Sequence, residues 1–426
     1  MKLTDAEQAM YDGHDGRAVA RAMDLLVRYG QALGAERLVD TSNVAGTVVS
    51  PSPRKLEMVR EGGFEKAFSE LNLDSDETVE VPRARVYTCQ LIQTFGADTA
   101  HLHNGSRELM TLQSDAERFF GSRGVHLMST CTPYQVGNVP VKGEHCAWME
   151  SSAVVYCNSV LGAMTNTEGT ESTGAASLTG KIPYWGYHLP DNRFGTHLVD
   201  IQIHVDDMMD WGLLGYYVGE IVQDEIPVLD GMWSQPELVK LKHFGAAASS
   251  SGGVEMYHIP GITPEAPTLE SAFGGREPVA TITYGARERR IAYENLNSSA
   301  TDQDVDFVML GCPHNSVEQI WRAAKLLDGK HLHDGTQLWM HTPRALREVA
   351  DRSGYTKIVE DAGGHIMSDS CPAISRVVPP GTKVVATDSA KQAHYLPAIS
   401  GLQTWFGSVE DCVGAALTGR WSGGLR

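Results

Sequence analysis

FVMLGCPHNSVEQIWRAAKLLDG, residues 307 to 329, decides the reading of the fold. Phe307 to Leu310 are four apolar residues in a row, as in a strand buried on both faces. Gly-Cys-Pro-His then makes a tight turn. Val317, Ile320, Trp321, Ala324 and Leu327 recur at steps of three and four, which predicts a helix with one apolar face. Strand, turn and helix in that order predict a parallel α/β sheet with Cys312 at the carboxyl end of a strand, where such sheets bind ligands. The helix start beside it would favour a thiolate through unpaired N–H groups and the positive end of its dipole. Taken alone, Cys312 reads equally well as a small buried residue.

The same arrangement recurs twice. VHLMSTCTPY, residues 125 to 134, sets Cys131 after a short apolar run with Pro133 close behind, and GGHIMSDSCP, residues 363 to 372, does so for Cys371 with Pro372. Cys89, Cys146, Cys157 and Cys412 lack the pattern and read as packing residues. Proline fixes φ and removes a donor, which suits a turn that must hold a sulfur in place, and Cys-Pro closes one ferredoxin ligand run. Three such turns from distant parts of the chain predict one metal site on Cys131, Cys312 and Cys371.

A chain of 426 residues exceeds one ordinary core and predicts two or three α/β units. A boundary is expected at FGGREPVA, dividing residues 1–272 from a C-terminal unit at 273–426 that carries Cys312 and Cys371. The net charge of -18, without a basic run, argues against a nucleic-acid surface and against an anionic membrane. The N-terminal residues show no apolar leader, and no stretch approaches the roughly 18 apolar residues of a membrane span, so a cytoplasmic protein is expected. Seven cysteines, an odd number without disulfide-like spacing, fit a reducing compartment.

Along the chain, Thr4 and Glu7 form a capping-box pattern ahead of packing helices. Glu36 to Gly46 reads as a strand delivering Ser42 and Asn43 to a loop end, with a plain polar turn as the alternative. Thr132 to Gly169 is dense in polar groups. In it, Glu150, Ser151 and Ser152 stand at the start of a helix predicted to run to Leu161, whose N-terminus could receive a substrate carboxylate. Asn166 lies in the turn that follows. His145 is either a structural histidine or a proton relay. The glycines of DWGLLGYYVGEIV suit close helix packing, and FGAAASSSGG reads as a small-residue loop feeding a strand at Val254 to Ile259. Near the end, KVVATDSAKQAHYLP is a strand leading into a helix, with Ser389 and Lys391 at the junction as candidates for binding or catalysis.

The blocks CTPYQVGNVPVKGEHCAWMESSAVVYCNSVLGAMTNTEG, FGAAASSSGGVEMYHIPGITPEA, GCPHNSVEQI, DSCP and TDSAKQAHY, in that order, resemble the large subunit of aconitase X. The resemblance implies an aconitase-like fold of α/β/α domains around an iron-sulfur cluster, either 2Fe-2S or 4Fe-4S, held by Cys131, Cys312 and Cys371. It implies a hydro-lyase that dehydrates a small hydroxy acid, cis-3-hydroxy-L-proline or 5-phosphomevalonate. It further implies a separate small subunit carrying a swivelling domain, because the base of the wider superfamily is a serine on such a domain. Where the family commonly has a histidine this chain has Asn43, and where it commonly has arginines it has Met164 and Thr167, which weakens the case for a phosphorylated substrate. A non-enzymatic reading also stands: the three cysteines with His145, His314 or His365 would make a structural zinc site.

Overall fold

A computed structural model of the chain describes residues 1–47, 51–68, 78–96, 99–102 and 106–426. Its largest sheet has five parallel strands in the order His365–Ser368, Gln337–Thr342, Phe307–Leu310, Val384–Thr387, Gln403–Phe406. Phe307–Leu310 is central and buried throughout, because alternate side chains serve two cores. Val308 and Leu310 pack with Leu338, Met340 and Ile366 under the helices Val317–Leu327 and Val409–Thr418, while Phe307 and Met309 pack with Trp339, Met367 and Val385 on the other face. Each such side chain contributes about 1.5–3 kcal/mol by leaving water, so the apolar run is fixed in the centre of the sheet.

From the central strand the chain first builds toward one edge and then returns to build toward the other. The reversal opens a crevice beyond the carboxyl ends of Phe307–Leu310 and Val384–Thr387, with Cys312 after the first strand and Ser389 and Lys391 after the second. Gly311 makes the first turn possible. Its φ is +99°, and a Cβ there would lie 2.3 Å from the His341 carbonyl oxygen. The Cys312–Pro313 peptide bond is cis.

Two smaller parallel sheets repeat the plan, with the earliest strand in the middle. One is ordered Tyr87–Gln90, Asn43–Thr47, Cys146–Trp148, and the other Pro227–Asp230, His197–Ile201, Ala280–Tyr284. The helices Met208–Val222 and Leu238–Ser251 pack so closely that a Cβ on Gly215 would lie 2.4 Å from the Phe244 carbonyl oxygen. This is the close glycine packing expected of that segment.

Several expected elements differ. Glu36 to Gly46 is not one strand: Leu38–Asp40 pairs antiparallel with Lys181–Pro183, and after Thr41 and Ser42 the strand Asn43–Thr47 joins the parallel sheet. Residues before Cys131 form one isolated bridge, His126 to Cys89, and no strand. The expected small-residue loop is the end of a helix, where the hydroxyls of Ser249, Ser250 and Ser251 donate back to the carbonyls of Ala246 and Ala247. Residues 254 to 259 are likewise no strand, because Tyr257 N–H goes to Ser159 Oγ and only His258 bridges to Val228. Trp321 is 38% exposed at the edge of its helix, with Lys325 Nζ 3.4 Å from its ring centroid. No helix among the described residues is long and apolar enough to cross a membrane.

Candidate active site: a three-cysteine cavity

The carboxyl ends of the N-terminal sheet face those of the five-stranded sheet across a cavity of about 200 Å³. Cys131, Cys312 and Cys371 all line it, with Glu150, Ser152 and Lys391 and the apolar side chains of Ile92, Pro313, Ala373, Tyr395 and Ile399. Each cysteine arrives differently. Cys131 follows Ser129, a residue at φ +50°, and precedes the one-turn helix Pro133–Gln135. Cys312 follows the central strand. Cys371 precedes the short helix Pro372–Ser375, on which Pro372 takes the first position.

The helix after Cys312 begins only at Val317, where Ser316 and Gln319 cap each other, so its N-terminal N–H groups do not serve the thiol as expected. Burial pushes the Cys131 thiol well above its usual value; the nearby Glu150 charge and the Cys312 and Cys371 sulfurs add to this, and the N–H that His314 donates at 3.3 Å opposes it. Burial also raises Cys312, with Lys391 working against it. Gln392 Nε2 is 3.9 Å from Cys371 Sγ. Cys131 and Cys312 are therefore held as thiols, and a metal group that takes them as thiolates must displace their protons.

An ion pair lines the same cavity. Glu150 follows the strand Cys146–Trp148 and precedes the helix Ser151–Tyr156, which continues as a wider turn to Leu161. Lys391 lies in the first turn of the helix Ala390–Ser400, which Ser389 caps by accepting the Gln392 N–H at 3.1 Å. Lys391 Nζ donates to Glu150 Oε1 at 2.6 Å and to Ser151 Oγ at 3.2 Å, and Ser152 Oγ donates to Glu150 Oε1 at 3.1 Å. Burial alone would depress Lys391 and raise Glu150, but each charge reverses this for the other, leaving the ammonium raised and the carboxyl lowered.

The remaining candidates stand away from the cavity. Ser42 Oγ donates to Glu144 Oε1 at 2.8 Å on the surface. Asn43 donates to Asn138 Oδ1 at 2.6 Å and accepts the Trp148 indole N–H at 2.9 Å. Asn166 accepts the Tyr187 N–H at 2.8 Å. The His145 ring lies against His188, Nδ1 to Nδ1 at 3.0 Å, and burial holds it below its usual pKa. His314 and His365 do not line the cavity.

Three family models match the chain in succession: aconitase X first domain over residues 1–191, second domain over 195–294 and third domain over 305–418. The chain belongs to the aconitase X family. It is 36% identical to the phosphomevalonate dehydratase large subunit of Methanocaldococcus jannaschii, over 96% of this chain and 99% of that protein. It is 33% identical to the cis-3-hydroxy-L-proline dehydratase of Hypocrea jecorina, over 98% of this chain and 69% of that protein. The crystal structure of Thermococcus kodakaraensis aconitase X in its holo form superposes with a TM-score of 0.82 at 32% identity, covering 98% of this chain and all of that one. The aconitase-like α/β fold and membership in a family of hydro-lyases follow.

Other residues that line this aconitase X cavity or brace its cysteine turns escaped the sequence reading. Tyr395 and Ile399 follow Lys391 at steps of four along one helix, a signal that was present and unused. Lys242 gave none. Wholly buried in the helix Leu238–Ser251, it donates through Nζ to the His314 carbonyl at 2.8 Å and to Gln319 Oε1 at 2.6 Å, and burial lowers it to about 8.

Proposed function

We propose that this protein is the large subunit of an iron-sulfur hydro-lyase that dehydrates a small monocarboxylate hydroxy acid, with cis-3-hydroxy-L-proline the first candidate. The convergence of Cys131, Cys312 and Cys371 on one cavity carries the reading. The donor set suits a cluster better than a single ion. Zinc bonds of about 2.3 Å would draw thiolates to within about 4 Å of one another, whereas among the described residues no three His, Cys, Asp or Glu side chains stand close enough to hold one ion. A cluster of several irons spreads its thiolates further. Among the described residues no histidine lines the cavity to complete a zinc site, and both ring nitrogens of His314 are engaged elsewhere.

When bound, a cluster held by three thiolates supplies an open iron as Lewis acid for the leaving hydroxyl. The chain's own residues do the rest of the binding. Lys391 commits two of its three N–H bonds to Glu150 and Ser151, which fixes the ammonium and leaves one donor for the substrate carboxylate. Ile92, Tyr395 and Ile399 give the cavity around it apolar walls. Glu150, held below its usual pKa by Lys391, is a poor proton acceptor, so the α-proton is assigned to a base on a small second subunit. Two observations support that partner: the Methanocaldococcus relative is named as a large subunit, and Ile399, which lines the cavity, is 37% exposed.

Among the described residues no arginine lines the cavity, and its one lysine is already neutralised by Glu150, which favours a single carboxylate over a phosphate. The 36% identity to a phosphomevalonate dehydratase large subunit favours the phosphorylated substrate instead. The test is anaerobic purification with and without a co-expressed small subunit, iron and sulfide analysis, and turnover of both compounds. Cys131→Ala, Cys312→Ala and Cys371→Ala should each lose the cluster, while Cys89→Ala and Cys412→Ala keep it. Equal iron in all five, or a clearly higher kcat/KM for 5-phosphomevalonate, would overturn the corresponding part.

A further inference from the structure

We propose that His314 is a positioning residue that ties the three cysteine turns together and sets their spacing before any metal group arrives. Its importance to a cluster rests on the function proposed above; the tie itself does not. His314 is wholly buried, two residues after Cys312. Its backbone N–H donates to Cys131 Sγ at 3.3 Å. Its ring Nδ1 is 2.9 Å from Thr130 Oγ1, beside Cys131, and its ring Nε2 is 3.0 Å from the Ser370 carbonyl oxygen, beside Cys371. One side chain and one amide thus bridge segments 183 and 56 residues away.

The chemistry of the partners fixes the direction of these bonds. A carbonyl oxygen can only accept, so Nε2 carries the proton and Nδ1 of the neutral ring accepts from the Thr130 hydroxyl. Thr130 Oγ1 in turn accepts the Thr132 N–H at 3.0 Å and faces the Thr132 hydroxyl at 3.0 Å, which receives Gln135 Nε2 at 2.6 Å. A single file of hydrogen bonds therefore runs from Gln135 through Thr132, Thr130 and His314 to Ser370, with every donor pointing the same way, an arrangement that polarises and strengthens each member. The His314 carbonyl is held as well, by Gln135 Nε2 at 3.0 Å and by Lys242 Nζ at 2.8 Å. The turn has little freedom to move a sulfur independently of the other two.

Hydrogen exchange of the metal-free chain reads the tie directly. Losing a net hydrogen bond of about 1 kcal/mol should speed local opening about fivefold. His314→Leu should therefore accelerate exchange in peptides covering both 129–132 and 369–372, with the distant strand 197–201 unchanged. Thr130→Val, a smaller change, should accelerate 129–132 and 311–316 and leave 369–372 at the wild-type rate, because the link to Ser370 survives. His314→Gln, which can still donate toward Ser370, should fall between wild type and His314→Leu. A role in packing alone would accelerate exchange everywhere together. In parallel, anaerobically loaded His314→Leu should release iron to a chelator several-fold faster than wild type. Wild-type protein that binds no iron and sulfide would defeat the cluster reading and leave the exchange result standing. If His314→Leu does not fold, Thr130→Val and His314→Gln decide, and wild-type exchange at both remote turns in the folded variants would overturn the inference.

Discussion

Replacing Lys391 with methionine should destabilise the metal-free chain through the group it leaves behind. Removing one partner of a buried ion pair costs roughly 3–5 kcal/mol, because the other charge stays desolvated. The Lys391 and Glu150 side chains remain 13% and 19% exposed, so the expected cost falls to about 2–4 kcal/mol. Glu150→Gln should cost less, since Lys391 keeps Ser151 Oγ and an amide oxygen can still accept. Combining the two removes both charges, and the double variant should be more stable than the sum of the single losses by about 1.5–3 kcal/mol. Urea denaturation of the four proteins measures this cycle. Turnover provides the contrast: the double variant recovers stability but has no cation for the substrate carboxylate, so it should stay as inactive as Lys391→Met. Single losses that add within about 0.5 kcal/mol would show that the pair is not a coupled unit, and a double variant with wild-type turnover would refute the role given to Lys391.

Two further outcomes are expected. Burial raises Glu168 from 4.5 to about 7, against the pull of Ser172 and Tyr29 and with Glu255 adding to the rise. A carboxyl with a folded pKa above its unfolded value stabilises fully below the unfolded value and loses that contribution as pH rises through the folded one, so Glu168→Gln should gain about 2–3 kcal/mol on wild type between pH 5 and pH 8. An equal gap at the two pH values in urea denaturation would refute this. Gly215→Ala should cost about 1–3 kcal/mol by forcing a methyl against the Phe244 backbone. Gly414→Ala, with nothing within 4 Å of the added carbon, should stabilise its helix by up to about 1 kcal/mol; equal stability of the two variants would count against the packing argument.

The sequence by itself determined the parts whose signals are local. The apolar run Phe307 to Leu310 and the periodic face after it specified a central strand and its helix, since both patterns follow from side-chain period alone. The three Cys/Pro turns were likewise legible, and the structure brings all three to one cavity. Thr4 with Glu7 and the close-packing glycines were read from neighbours a few residues apart. Tertiary structure decided what depends on distant partners. FGAAASSSGG has the composition of a loop but lies in a helix as far as Ser251, because small residues are what the facing glycine helix can accept. Residues 254 to 259 read as a strand yet spend their backbone on a serine hydroxyl and a single bridge. The pairing of Lys391 with Glu150, 241 residues apart, and the bonds from His314 to the other two cysteine turns leave no trace in local spacing. Such contacts are set by which strand ends the sheet topology brings face to face, and that is a property of the assembled sheets.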